Sequence, residues 1–146
     1  HHKKQKLNLT LLAELNKILQ MIHLKELVYK IMSYFYNNWN IKGELAKEDD
    51  IYEVYDNTNL HQLIVSKTIL KPYKSTTGHR HKGQEEVYIF IKGDALMEIE
   101  HENTQTIKKV TTGSIVLIED NDFHRVHNKT GKPIEFICVF NGERSH

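Results

Sequence analysis

The order of apolar and polar residues divides the chain into a helical first part and a strand-rich remainder. Between residues 7 and 35, apolar residues recur three and four positions apart, on two successive stripes: Leu11, Leu15, Ile18 and Ile22, then Leu24, Val28, Ile31 and Phe35. This period predicts an amphipathic helix. Because the second stripe is shifted from the first, we expect the helix to break or bend between Gln20 and Lys25.

Beyond residue 50, short apolar or alternating runs are separated by turn residues. The predicted strands cover residues 51–55, 60–70, 87–91, 95–100, 104–110, 115–118 and 134–140. Many short strands with turns between them are typical of a β-barrel or jelly roll. We expect strand 95–100 to return antiparallel to strand 87–91 from the turn at Gly93.

A short connector joins the two parts, so the chain is interpreted as an N-terminal helical extension, 1–36, and a barrel domain, 37–146. A small barrel has little room for a helix inside. The apolar face is therefore expected to cover a barrel edge or a second subunit, which favours a homodimer. A coiled coil is the less favoured interpretation, because the apolar stripe is short and shifts around the helix. His1 and His2 are interpreted as the remnant of a purification tag, since the chain has no initiator methionine.

Composition excludes several classes of protein. A formal net charge of +1 argues against nucleic-acid binding, which would require a basic face, and the helix shows no basic recognition surface. No apolar run is long enough to span a bilayer, so no membrane partner is expected. The single cysteine, Cys138, cannot form an internal disulfide, which suits a reducing cytoplasm.

Histidines and one acid suggest a metal site. His79 and His81 are two residues apart, so in an extended strand their side chains project to the same side. Glu86 opens the apolar strand that follows, and the turn between them predicts a hairpin that brings the acid to the His pair. Glu85 alternates to the opposite face. His124 comes after a later strand and an acidic bend. Three imidazoles and a carboxylate suit one divalent ion, Fe, Mn, Ni or Zn, with positions left for water or substrate.

Two spaced groups of residues resemble the two sequence motifs of the cupin family. The first runs from His79 and His81 through Glu86 to Gly93, and it lacks only the opening glycine of the motif. The second comprises Gly113, Glu119, Asn121, His124 and Asn128, with Glu119 and Asn121 in place of a proline and a glycine. The resemblance covers about residues 50–141. It implies an all-β double-stranded β-helix, the cupin jelly-roll barrel, that binds a metal through the three histidines and Glu86.

Two shorter motifs narrow the resemblance. GHRH at residues 78–81 and EVY at 86–88 are similar to the archaeal-type cupin phosphoglucose isomerases, although this chain has two residues fewer between His81 and Glu86. The resemblance implies that Thr77, Gly78 and Tyr88 hold a sugar phosphate. We therefore expect a metal-dependent isomerase of a small-molecule substrate, a phosphorylated or similarly polar sugar. The expected base is Glu86 or, less favoured, Tyr88. Lys74 is a candidate for the phosphate.

Other functions use the same residues. His79, His81 and Glu86 form a two-histidine, one-carboxylate set, which with iron(II) supports dioxygenase chemistry. A lyase that uses the metal as a Lewis acid and a non-catalytic cupin that binds a small ligand are the remaining alternatives. His127 lies three residues past His124, so its side chain is expected to point away from the metal.

Overall fold

The computed structural model describes residues 2–32 and 35–142, in two compact units, 1–37 and 38–146. Of the predicted helical extension, His1, Ser33 and Tyr34 lie outside the described residues.

The first unit is a single helix, α1 (His2–Met32). The helix does not break between Gln20 and Lys25, and it contains no glycine or proline that would interrupt its hydrogen bonds; the alternative, a bend, stays a prediction. The shift of the stripe instead spreads apolar side chains around the helix. Phe35, the predicted last helical residue, lies outside it. No described helix is long and apolar enough to cross a membrane. The surface that covers the apolar side chains stays a prediction.

The second unit consists of two antiparallel sheets. Its strands are β1 (Glu44–Glu48), β2 (Tyr52–Asn57), β3 (Leu63–Leu70), β4 (Glu86–Lys92), β5 (Ala95–His101), β6 (Thr104–Val110), β7 (Ile115–Ile118), β8 (Phe123–His127) and β9 (Ile134–Asn141). Six of them form a sheet in the order β1-β2-β3-β9-β4-β7, and three form a sheet in the order β6-β5-β8. The predicted all-β jelly roll with an N-terminal helix is confirmed.

The core of the second unit lies between the two sheets. It contains Phe90 and Phe136 from the six-stranded sheet, each 1% exposed, and Met97 and Val126 from the three-stranded sheet. The alternation of apolar residues along each strand sends these side chains inward, because successive residues of a strand face opposite sides.

The expected pairing across Gly93 is wrong. Strand β4 pairs with β7 and β9, whereas β5 pairs with β6 and β8 in the other sheet. Gly93 has a positive φ of 85° at this corner, and there the chain passes from one sheet to the other. Phe90 before the corner and Ala95 after it are both buried in the core. A corner of this kind keeps the apolar alternation that a hairpin would also show.

Asn128, the last residue of the second motif, forms hydrogen bonds that join the chain after β8 to two other segments. It is fully buried, and its amide nitrogen donates to the carbonyl oxygens of Leu70, Lys71 and Lys132, at 3.3, 3.0 and 2.8 Å. Its side-chain oxygen accepts the backbone N–H of Thr130 at 2.9 Å. Asn128 is therefore a structural residue that ties the end of β3 to the turn before β9.

Gly93 and Gly83 offer a matched test of the corner at Gly93, where the chain passes from one sheet to the other. Both have a positive φ, but a Cβ on Gly93 would lie 2.7 Å from Cγ2 of buried Ile134, whereas a Cβ on Gly83 would meet nothing within 4 Å. Gly83→Ala is expected to cost about 1–2 kcal/mol of unfolding free energy, for the backbone conformation alone. Gly93→Ala should cost a further ~1–3 kcal/mol for overpacking. Urea unfolding of both variants measures the difference, and equal losses would contradict the tight corner.

Candidate metal centre

The segment that carries the first two histidines lies along β8. Ser75 pairs with His127, and His79 pairs with His124, in isolated antiparallel bridges. The backbone N–H of His124 donates to the carbonyl of His79 at 3.0 Å, and the reverse bond is 3.3 Å. Because residues paired in this way project to the same side, the two imidazoles face the same interior.

Glu86 reaches this interior from the opposite sheet. It is the first residue of β4, after the turn of residues 82–85. The expected hairpin between the His79–His81 segment and the Glu86 strand is not formed, because the segment pairs with β8 and the turn crosses between the sheets. Glu86 is buried and Glu85 is exposed, as the alternation predicted.

One atom from each of the four residues lies within 4.8 Å of the others, in the cluster formed by His79, His81, Glu86 and His124. Nε2 of His81 is 3.3 Å from Oε1 of Glu86, and Nε2 of His124 is 3.5 Å from Oε2 of Glu86. His124 and Glu86 are 1% and 6% exposed, whereas His79 and His81 are partly accessible. The cluster thus has a buried floor and an accessible side.

Backbone carbonyls fix the orientation of two of the rings. Nδ1 of His79 is 2.9 Å from the carbonyl oxygen of Thr77, and Nδ1 of His124 is 3.1 Å from that of Asp122. A carbonyl only accepts, so each Nδ1 carries the proton and each Nε2 keeps its lone pair. Nε2 of His124 is buried and has no hydrogen-bond partner. An unsatisfied buried lone pair that faces two more imidazoles and a carboxylate fits a metal ion.

The charges in the cluster also fit a cation. Burial, followed by the neighbouring His124 and His81, lowers the pKa of His79 from 6.5 to about 4. Burial, the largest cause, opposes ionisation of Glu86, but the nearby imidazoles in their protonated form, His124 foremost, hold the pKa of this carboxyl below its usual value. At neutral pH, His79 is therefore neutral and Glu86 is ionised, and these are the protonation states of metal ligands.

A cavity of about 250 Å³ adjoins the cluster. Tyr88 follows Glu86 on the inward face of β4. Its ring lies edge-on to His124 at 5.6 Å between centroids and stacks on Phe136 at 5.3 Å. Around the cluster, the cavity is lined by Lys47, Tyr52, Val54, Thr68, Thr76, Thr77, Gln84, Tyr88, Phe136, Cys138 and Phe140. This volume lies just below the ~300–1,000 Å³ of typical ligand pockets, so it suits a small molecule.

The other expected substrate residues lie in different surroundings. Thr77 lines the cavity, but Gly78 and Lys74 are not among its lining residues. A Cβ on Gly78 would lie 2.2 Å from Cζ of Phe123, so close packing of the segment on β8 accounts for this glycine. Nζ of Lys74 is 3.3 Å from a carboxylate oxygen of Asp50. The role of these residues toward substrate stays a prediction.

Sequence reasoning missed Lys47, Tyr52 and Gln84 as cavity residues. Lys47 lies on β1, a wholly exposed edge strand whose sequence, ELAKE, carries no apolar alternation. Tyr52 falls in a predicted strand, and its inward alternation with Val54 was the one available signal.

His127 faces away from the cluster, on the other side of β8. Its Nδ1 is 2.8 Å from Oγ of Ser75, and its Nε2 is 2.7 Å from Oε2 of Glu98. Gln105 donates to the other Glu98 oxygen at 2.6 Å. This network fastens Ser75, and with it the start of the segment that carries His79, to the outer face of the three-stranded sheet.

Comparison with known proteins supports the fold. The family model described as "Cupin domain" matches residues 67–140. Three similar solved structures are the oxalate decarboxylase formate complex of Lactobacillus farciminis (18% identity, TM-score 0.62, covering 68% of this chain and 31% of that one), the Bacillus subtilis oxalate decarboxylase studied for its Mn(II) centers (19%, 0.62, 73% and 29%), and Peruvianin-I, a cysteine peptidase from Thevetia peruviana latex (17%, 0.62, 78% and 75%).

At these identities the structural likeness shows the fold alone. The chain spans about a third of the length of the oxalate decarboxylases that it matches. The search of curated proteins found no match.

The depressed pKa of His79 predicts a loss of stability in acid. An unfolded chain binds a proton at His79 near pH 6.5, whereas the folded chain binds it only near pH 4. Between these values the unfolded state holds more protons, so stability falls as pH falls. With metal removed by chelation, urea unfolding from pH 7 to 4.5 should show a smaller loss for His79→Gln than for wild type. His61→Gln, at an exposed loop histidine, is the matched control. If the unfolding free energies of wild type, His79→Gln and His61→Gln fell in parallel with pH, the predicted effect of His79 would be contradicted.

Proposed function

The chain belongs to the cupin domain family, and on that premise we propose that it is a metal-dependent isomerase of a phosphorylated or similarly polar sugar. One divalent ion, Fe, Mn, Ni or Zn, would be held by His79, His81, Glu86 and His124. The observation that carries this proposal is the buried, unpartnered Nε2 of His124 beside the three other donors. Imidazole and carboxylate donors together suit these borderline ions.

An ion held by these four residues would supply Lewis-acid chemistry to a polar sugar. The remaining chemistry is proton transfer by the chain. Glu86 is ionised and lines the cavity, so we assign the role of base to the carboxylate oxygen that the ion would leave free; this oxygen would accept a proton from one carbon and return it to the next. The proton that moves between the two sugar oxygens balances this transfer.

Residues around the cluster would position the sugar. Hydroxyl groups that could hydrogen-bond a polyol are carried by four of the residues that line the cavity: Tyr52, Thr76, Thr77 and Tyr88. Phe136 and Phe140 are buried and contribute apolar surface to the cavity, which would limit the water around a bound sugar. The resemblance of GHRH and EVY to the cupin phosphoglucose isomerases supports the same class of substrate.

Glu86 and Glu85 provide a matched pair for testing this role. In fructose 6-phosphate turnover followed by NMR, with protein stripped and reloaded with each of the four metals, wild type should form glucose or mannose 6-phosphate. Glu86→Gln should retain the fold and lose turnover by about 10²-fold or more, as for removal of a general base. Glu85→Gln, which changes an exposed neighbour, should remain active. Full activity of Glu86→Gln would remove Glu86 from the mechanism.

The donor set also favours a second candidate function. His79, His81 and Glu86 make a two-histidine, one-carboxylate set of the kind that non-haem iron oxygenases use. Oxygen uptake that requires added iron(II), in protein inactive toward fructose 6-phosphate, would favour a dioxygenase. Absence of both activities would favour a lyase or a cupin that only binds a small ligand.

A further inference from the structure

The cavity contains a second kind of charge besides the histidine cluster. Among the lining residues that the structure describes, Lys47 is the one lysine or arginine, and Glu86, at the cluster, is the one acid. Because Glu86 lies within the histidine cluster, the positive charge of Lys47 is a candidate anion-binding group for the cavity.

Strand register places Lys47 over the cavity. Lys47 lies on the edge strand β1 opposite Val54 of β2, and paired residues face the same side. Val54 is 3% exposed and lines the cavity with Lys47. The side chain of Lys47 is 41% exposed, so it forms part of the rim rather than the floor.

Tyr52 holds the ammonium group in place. Nζ of Lys47 donates to the hydroxyl of Tyr52 at 2.9 Å and lies 4.9 Å from the centre of the same ring. This hydrogen bond, the largest cause, raises the pKa of Lys47, which is therefore charged at physiological pH. The ring of Tyr52 packs against the core. The hydrogen bond to Tyr52 therefore fixes the position of the charge.

Asp49 only partly neutralises Lys47. Oδ1 of Asp49 accepts the backbone N–H groups of Ile51 and Tyr52 at 2.8 and 2.9 Å. Its other oxygen is 3.7 Å from Nζ of Lys47, beyond hydrogen-bond distance. An exposed ion pair of this kind contributes only about 0–1 kcal/mol. An ammonium group has three N–H donors, so Lys47 can bond a ligand and keep its bond to Tyr52.

We propose that Lys47, positioned by Tyr52, binds the anionic group of the substrate, so that this site selects small molecules with a phosphate or carboxylate at the end remote from the reacting carbons. The inference rests on the proposed function for the histidine end of the cavity. It transfers the anion-binding role from Lys74, whose nearest acid is Asp50, to a lysine that lines the cavity.

Calorimetric titration of metal-loaded protein with fructose 6-phosphate, neutral fructose and inorganic phosphate tests the assignment. Lys47→Met should weaken fructose 6-phosphate binding about tenfold or more, as for loss of a hydrogen bond between charged groups, and should leave fructose binding unchanged. Lys47→Arg, which keeps the charge, should recover most of the affinity. Lys108→Met, at an exposed lysine on β6 in the other sheet, is the matched control.

Unchanged binding of fructose 6-phosphate by Lys47→Met would overturn the proposal. So would wild-type protein that binds fructose 6-phosphate no more tightly than fructose, including the case in which neither binds. Weaker binding of inorganic phosphate by the same variant would support the proposal, because it would show that Lys47 contacts the anionic group itself. Calorimetry measures binding independently of turnover, so failure of the Lys47 proposal and failure of the isomerase proposal can be distinguished. Anion binding through Lys47 without isomerisation would therefore refute the proposed isomerase activity and support the role of Lys47. Turnover with an unchanged KM in Lys47→Met would support the isomerase activity and refute the role of Lys47.

Discussion

The reciprocal backbone pairing of His79 with His124 is the constraint on which the candidate site depends. It places two imidazoles from distant parts of the sequence side by side, and His81 follows because it shares the parity of His79. Glu86 then enters from the facing sheet, so the cluster lies where the two sheets of the barrel meet. His79 and His81 lie outside the named strands, so this pairing is what holds them against His124 of β8.

The alternation of residues made much of this predictable. It distinguished Glu86 from Glu85, placed Tyr88 beside Glu86, and turned His127 outward. It could not tell which strands pair, because a corner at Gly93 preserves the same alternation as a hairpin. It also missed β1, since an edge strand that is exposed on both faces has no apolar period to detect.

Packing contacts and hydrogen-bond partners separate structural from functional residues in the two motifs. Gly78 is explained by its contact with Phe123, and Asn128 by its three backbone acceptors. His124 differs from both, because its Nε2 is buried and unsatisfied within a structure that satisfies its Nδ1. A buried polar atom without a partner costs stability, and a bound cation would offset that cost. This unsatisfied atom therefore supports a role for His124 in metal binding.

The most direct test of this account is a crystal structure of manganese-loaded protein with anomalous diffraction data. One anomalous peak is expected, within coordination distance of Nε2 of His79, His81 and His124 and of an oxygen of Glu86. The peak should be lost in His124→Ala crystals. A fully loaded crystal with no peak at the cluster, or with its peak at other residues, would contradict it.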